Sequence, residues 1–188
     1  MGLFDNIKKS IDNAANNVKS GSGSNKSVDI VFSKTPDTYE EFLALPEAKL
    51  STPFDTAALT VLAFCYYPQN KDLSLRMLQY LKGPGGLSEY QKSFFKERMS
   101  QYDYVPRSYF KGATPQNDYL PSEPLTVTVK ENPYSYANEN IARLFVTSGG
   151  ADSDRYMDMK LAKDGKWYLW EQYILVGIRE PESSNPWA

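Results

Sequence analysis

Histidine is absent from the 188-residue chain, and cysteine occurs once. Ser-His-Asp and Cys-His catalytic arrangements need an imidazole base, so both are excluded. One cysteine cannot build a structural zinc site, and two-histidine iron sites and histidine-ligated haem lose their ligands. We therefore expect no cofactor, no structural metal and no enzymatic activity, although carboxylate, tyrosine and lysine chemistry survives in principle.

The single cysteine, Cys65, cannot form a disulfide within the chain. It lies between Phe64 and Tyr66 in an apolar helix candidate, where a thiol is expected to behave as a small buried hydrophobe. A lone buried cysteine fits a reducing compartment.

Long hydrophobic runs are also lacking. Thr56–Tyr67, the longest stretch without charges or strong helix breakers, has about a dozen residues, whereas ~20 are needed to span a bilayer. No cationic segment leads into an apolar run at the N-terminus, and Asn6 stands where a myristoylation signal has Ser or Thr. These features predict a cytoplasmic protein. A peripheral position at the membrane is kept as an alternative.

Neither sign of charge is in strong excess. Lys plus Arg is 21 and Asp plus Glu is 23, which gives a formal net charge of -2 at pH 7. Proteins that bind nucleic acid through its phosphates usually present a basic surface, so this balance predicts no nucleic-acid partner.

The chain divides into two parts joined by a linker. Residues 21–27 read GSGSNKS, which is typical of a flexible linker between residues 1–20 and a single domain at 28–188. Residues 1–20 carry apolar side chains spaced by three and four, a pattern that predicts an amphipathic helix. Such a short helix is marginal in water, so it needs its own domain, an unknown protein partner or a membrane surface to form on. The plainer alternative is a weakly ordered tail. The predicted docking residues are Leu3, Phe4, Ile7 and Ile11.

In the larger part, a short strand candidate at Val28–Phe32 is followed by helix signals. Thr52 before Pro53 is typical of a helix start, and the helix to about Tyr67 is apolar on nearly all sides, so we expect it to be central and buried. From Leu125 the apolar period becomes two, which predicts strands. The order predicts an α+β fold in which N-terminal helices pack on a C-terminal, mostly antiparallel β-sheet.

Segments 155–162 and 166–173 are predicted to form a hairpin around residues 163–165. A two-residue turn would place Asp158 opposite Glu171, which is unfavourable, so we predict a three-residue turn with Gly165 in a bulge. One face of the hairpin then carries Met157, Met159, Leu161, Trp167 and Leu169. The other face carries Tyr156, Asp158, Lys160, Tyr168, Trp170 and Gln172.

Two parts of the sequence resemble known protein families. The run 163–169, KDGKWYL, is similar to the last hairpin of cystatin-like α+β domains, including the nuclear-transport-factor-2-like fold. That resemblance implies a sheet curved around helices into a cone with a pocket. The start MGLFD and the tail at 175–181 and 185–188, LVGIREP and NPWA, resemble uncharacterised bacterial proteins grouped as a domain of unknown function. This second resemblance implies no activity.

Two functions remain open. The leading hypothesis is a non-enzymatic binding or adaptor domain of unknown process, whose N-terminal segment docks onto a protein partner or a membrane surface. The alternative is a cone-shaped pocket domain that binds a small apolar ligand or performs carboxylate or tyrosine acid-base chemistry. In that case Glu171 could be a buried acid beside Trp167, and the candidate pocket residues are Glu171, Asp158 and Trp167.

Overall fold

A computed structural model describes residues 24–184 and 186–187 of the chain. The predicted docking residues Leu3, Phe4, Ile7 and Ile11, the predicted helix at 1–20 and residues 21–23 of the linker lie outside these residues. The helices and strands of the described part are β1 Ser27–Val31, α1 Tyr39–Leu43, α2 Pro53–Cys65, α3 Lys71–Lys82, α4 Glu89–Gln101, β2 Thr126–Lys130, β3 Ile141–Val146, β4 Arg155–Leu161 and β5 Trp167–Gln172.

The five strands form one antiparallel sheet in the order β1-β2-β3-β4-β5. Strands β2 to β5 follow one another along the chain, while β1 precedes the helices and pairs with β2 across a separation of about a hundred residues, Ser27 lying opposite Lys130. Strands β1 and β5 are therefore the two edges. After β1, the helices precede the meander of β2 to β5, so the predicted α+β class is confirmed.

Helix α2 lies against the sheet and forms the centre of the core. It begins with a capping box: the Thr52 hydroxyl accepts from the Asp55 N–H, and the Asp55 carboxylate accepts from the Thr52 N–H. Pro53 occupies the first helical turn, where its missing N–H costs nothing. Every residue from Pro53 to Phe64 except Asp55 is buried, and α2 touches all five strands. The prediction of a central buried helix is confirmed.

The irregular segment at 101–124 packs across the domain through its tyrosines. Tyr109 and Tyr119 are almost completely buried, and their hydroxyls donate to the carbonyls of Ile174 and Arg179, both at 2.6 Å. Tyr104 stacks on Tyr119 with 5.5 Å between the ring centroids. Each buried hydroxyl has an acceptor, so the aromatic rings contribute their apolar area without the cost of an unpaired polar group.

The β4–β5 hairpin has the predicted three-residue turn. Ala162 and Lys166 bond across residues 163–165, Leu161 lies opposite Trp167, and Gly165 has a φ of +81°. Further along, a bulge at Trp170 shifts the register between Asp158 and Met159.

The bulge corrects one detail of the predicted register. Asp158 lies opposite Glu171 after all, and Gln172 lies opposite Met157 instead of sharing a face with Tyr168. Arg143 on β3 forms two 2.8 Å hydrogen bonds with the Asp158 carboxylate, which offsets the repulsion between the two acids.

Candidate functional site

A cleft of about 500 Å³ lies at the edge of the sheet, between β5 and the turn that joins α3 to α4. We call it the edge cleft. Its volume falls within the range of about 300–1,000 Å³ that is typical of small-molecule sites. The lining residues are Lys82, Pro84–Ser88, Gln91, Lys160–Ala162 and Tyr168–Glu171.

The position of the turn depends on Gly83. This residue ends α3 with a φ of +54°, and a Cβ built on it would lie 2.3 Å from the Tyr168 ring. Only glycine therefore permits both the backbone conformation and the close approach of the ring. Tyr168 in turn donates its hydroxyl to Asp164 at 2.7 Å. The turn and β5 are thus held together at one end of the edge cleft.

Trp170 is the central side chain of the edge cleft. The bulge directs it away from the core, and 45% of its surface stays exposed. Two ammonium groups converge on its indole ring: the Nζ of Lys160 lies 4.0 Å and that of Lys82 lies 5.9 Å from the ring centroid. Lys82 also donates to the Trp170 carbonyl at 2.7 Å. The cleft therefore combines an accessible aromatic surface with two cations.

The charge of the edge cleft contrasts with the rest of the domain. Lys82, Lys160 and Glu171 give the lining one net positive charge, whereas residues 28–188 together carry 17 basic and 21 acidic residues. Burial lowers the pKa of Lys82 below its ordinary value, and the nearby Glu171 carboxylate partly opposes that shift. An anion that reached Lys82 would offset part of the cost of this desolvation by electrostatic attraction.

The backbone of β5 is already occupied on its outer edge. The Trp167 N–H donates to the Leu50 carbonyl at 2.9 Å, and the Trp167 carbonyl accepts from the Thr56 hydroxyl at 2.6 Å. The Trp170 carbonyl accepts from Lys82. These bonds, together with the bulge, oppose the addition of a further strand at this edge. A ligand of the edge cleft would therefore contact mainly side chains.

A smaller hollow of about 200 Å³ adjoins the edge cleft and lies between β5 and α4. The two share Lys82, Gln91 and the segment 169–171, and the smaller hollow adds the aromatic rings of Tyr90, Phe94 and Tyr173. Tyr90 is 81% exposed. The apolar surface around Trp170 therefore continues along α4.

The open face of the sheet carries a second group of aromatic residues. Tyr156 lies 4.5 Å from Tyr173 and 6.3 Å from Phe145, measured between ring centroids. A hollow of about 330 Å³ beside them is lined by Phe145, Arg143 and Asp158, among others. Because Arg143 is bound to Asp158 and also stacks over Tyr156, its charge is already engaged.

The three predicted pocket residues do not share one pocket. Glu171 is exposed and lines the edge cleft, so it is not the buried acid that an inward orientation would have required. Asp158 is buried on the open face in its ion pair with Arg143. Trp167 is 5% exposed and belongs to the core, where it contacts Tyr136.

Sequence reasoning placed Lys160, Tyr168 and Trp170 on one face of the hairpin but did not identify them as a site. It missed Lys82, which lies 88 residues before Trp170 along the chain. The glycine-proline-glycine-glycine turn at 83–86 was the available signal, since it ends α3 beside a lysine.

Burial favours the protonated forms of the Cys65 thiol and of several tyrosines in the described part. Burial raises the pKa of the Cys65 thiol to about 12, and burial together with the Asp164 carboxylate raises the pKa of Tyr168 to about 12. Burial and the Glu131 carboxylate also raise the pKa of Tyr136. Within residues 24–184 and 186–187, no group of three or more Cys, Asp or Glu side chains is placed to hold a metal ion.

These features define an α+β domain, helices on one face of an antiparallel sheet, whose candidate site is an open cleft at the sheet edge. The chain belongs to the family described as Domain of unknown function (DUF6935), which matches residues 34–182. The predicted membership of a domain-of-unknown-function family is thereby confirmed, whereas a bacterial origin stays a prediction.

No curated protein and no solved structure matches the chain. The likeness to cystatin-like and nuclear-transport-factor-2-like folds therefore stays a prediction. In the described part of the chain, no helix has both the length and the apolar character needed to cross a bilayer.

Proposed function

We propose that this chain is a non-enzymatic binding domain and that the edge cleft is its ligand site. The observation that carries the proposal is the exposed Trp170 ring with the ammonium groups of Lys82 and Lys160 directed at it. A large aromatic side chain left partly exposed in a concave, preformed site is typical of ligand binding. The proposed location of this binding is the cytoplasm, which the single free cysteine supports.

The contacts around the cleft favour binding over acid-base chemistry. Glu171 is the one carboxylate among the lining residues, and it is exposed to solvent rather than enclosed in a site from which water is excluded. Tyr168 has a raised pKa, which disfavours the phenolate form, and its hydroxyl is bonded to Asp164. The alternative, a pocket domain with carboxylate or tyrosine catalysis, therefore ranks second.

Protein-detected NMR with a library of small neutral, cationic and anionic ring compounds tests the proposal. We expect compounds that bind to shift the amide signals of residues 83–88 and 168–171 more than those of the rest of the domain. Binding that is confined to other surfaces, or absent for every compound, would contradict the proposal.

A variant that fills the cleft provides the control. A Cβ on Gly85 would have no described heavy atom within 4 Å, so Gly85→Trp should fold normally and occupy the cleft. Lys163→Trp adds the same side chain at the exposed hairpin turn and should leave binding unchanged. Equal binding by the two variants would place the ligand elsewhere.

We further propose that residues 1–20 dock onto a protein partner or a membrane surface. The amphipathic spacing of Leu3, Phe4, Ile7 and Ile11 supports this second role. Deletion of residues 1–20 should reduce partner recovery in pull-downs or co-sedimentation with lipid vesicles. Replacement of the same four residues by serine should reproduce the loss, and unchanged results in both assays would contradict this role.

A further inference from the structure

We propose that the edge cleft selects a small planar apolar ligand that carries a single negative charge, such as an aromatic carboxylate or sulfonate. This inference rests on the proposed ligand site and adds the chemical class of the ligand. It follows from the arrangement of the Trp170 ring, the two lysines and the one carboxylate that line the cleft.

The planar part of the ligand is assigned to Trp170. The Nζ of Lys160, which is exposed, lies 4.0 Å from the centroid of the Trp170 indole. A flat ring of the ligand can take the place of this ammonium group, so that the indole surface stays covered. Stacking on the indole buries apolar surface that is otherwise in water. Pro84, Leu87 and Tyr168 supply apolar and aromatic walls around the same space.

The negative charge is assigned to the two lysines. Lys82 is half-buried and held in place by its hydrogen bond to the Trp170 carbonyl, so it is oriented before a ligand arrives. Lys160 can exchange its contact with the indole ring for an ion pair with the acidic group. Charge-assisted hydrogen bonds to such cations are stronger than those between neutral groups.

Glu171 limits the ligand to one charge. The two lysines and this carboxylate leave one net positive charge in the cleft lining, and Glu171 is close enough to Lys82 to oppose the lowering of its pKa. A second negative charge on the ligand would therefore meet a carboxylate rather than a free cation.

Ser88 and Gln91, two neutral polar residues of the lining, bind each other. Gln91 Oε1 accepts from the Ser88 N–H at 3.1 Å, and Ser88 Oγ accepts from the Gln91 N–H at 3.1 Å. The Leu87 N–H donates to Gln79 Oε1 at 3.0 Å. Lys82 and Lys160 are the cationic side chains of the lining, so we assign the recognition of the charged group to them.

The occupant is inferred to be a small molecule rather than a peptide strand. The Trp167 N–H and carbonyl and the Trp170 carbonyl already have partners, so an extended peptide would find few backbone groups to pair with along β5. The volume of about 500 Å³ suits a compound of two or three fused or linked rings.

A pair of fluorescent probes separates the ring from the charge. 1-Anilinonaphthalene-8-sulfonate has a planar naphthalene ring, a linked phenyl ring and one negative charge, and N-phenyl-1-naphthylamine has the same rings without the sulfonate. We expect the full-length protein to bind the sulfonate at least about fivefold more tightly, the size of a modest ion-pair contribution. Raising the salt concentration should weaken only the binding of the sulfonate.

Substitutions assign the two parts of the ligand to residues. Lys160→Gln and Lys82→Gln should each weaken sulfonate binding about threefold or more and leave the neutral probe within about twofold. Trp170→Ala should weaken both probes. Glu171→Gln should strengthen sulfonate binding. Lys163→Gln, a matched loss of an exposed lysine outside the cleft, should change neither probe.

The outcomes distinguish this inference from the proposed function. If Gly85→Trp displaces both probes but they bind with equal affinity and ignore the lysine substitutions, the planar-anion class is wrong and the ligand site stands. If Gly85→Trp displaces neither probe, the ligand site itself is contradicted. Lys82→Gln could disturb the end of α3, so thermal unfolding is measured in parallel, and the exposed Lys160→Gln decides the result where the Lys82 variant is unstable.

Discussion

Trp167 and Trp170 stand three residues apart on the same strand and have opposite environments. Trp167 is 5% exposed, and its N–H and carbonyl are both bonded, to Leu50 and Thr56. Trp170 is 45% exposed, lies at the bulge and is flanked by Lys82 and Lys160. The comparison indicates that the first end of β5 stabilises the fold, whereas the bulge leaves the second end accessible to solvent at the proposed ligand site.

The largest expected effect is the loss of the buried tryptophan. Trp167→Ala removes a large core side chain and leaves a cavity between α2 and the sheet, so it should lower the free energy of unfolding by about 3–5 kcal/mol. Urea denaturation followed by circular dichroism measures the change. A loss as small as that of Trp170→Ala would contradict the division of β5 into a structural and a binding end.

The glycine beside Tyr168 should come next. Gly83→Ala places a Cβ 2.3 Å from the Tyr168 ring and strains a positive φ, so we expect a loss of about 2–3 kcal/mol. Gly85→Ala is the matched control: its Cβ meets none of the described heavy atoms within 4 Å, and its φ lies outside the left-handed region. Equal stability of the two variants in thermal unfolding would contradict the close packing of the turn on β5.

A smaller effect is expected where α2 meets the backbone of β5. Thr56→Val keeps the shape of the buried side chain but leaves the Trp167 carbonyl without its hydroxyl donor, which should cost about 1–2 kcal/mol. Thermal unfolding measures the loss. Thr60→Val, at a hydroxyl bonded to the carbonyl of Thr56 within the same helix, is the control and should cost less.

The smallest effect on stability is expected at the exposed tryptophan. Trp170→Ala should change the free energy of unfolding by less than about 1 kcal/mol, because the side chain is partly exposed and outside the core. The same variant should lose binding of both fluorescent probes. A large loss of stability with unchanged probe binding would reverse the roles assigned to the two tryptophans.

Local signals explain which parts of this fold could be predicted. The Thr52 helix start and the three-residue turn before Lys166 depend on residues within a few positions of each other, and both are found as predicted. The sequence predicts that Asp158 does not lie opposite Glu171, and this prediction is wrong. The bulge at Trp170 brings the two residues together, and no residue in the sequence signals that bulge as Gly165 signals the turn.

The amino-acid sequence by itself determined the α+β class, the central buried helix and the end of the hairpin, since apolar periodicity and turn residues act over short distances. The position of the edge cleft and the set of residues that line it depend on the tertiary structure alone. Lys82 reaches Trp170 because α3 ends beside β5, at a glycine on which Tyr168 packs, and that contact joins residues far apart in the chain. A site assembled from such distant segments depends on how the elements pack, which local patterns do not encode.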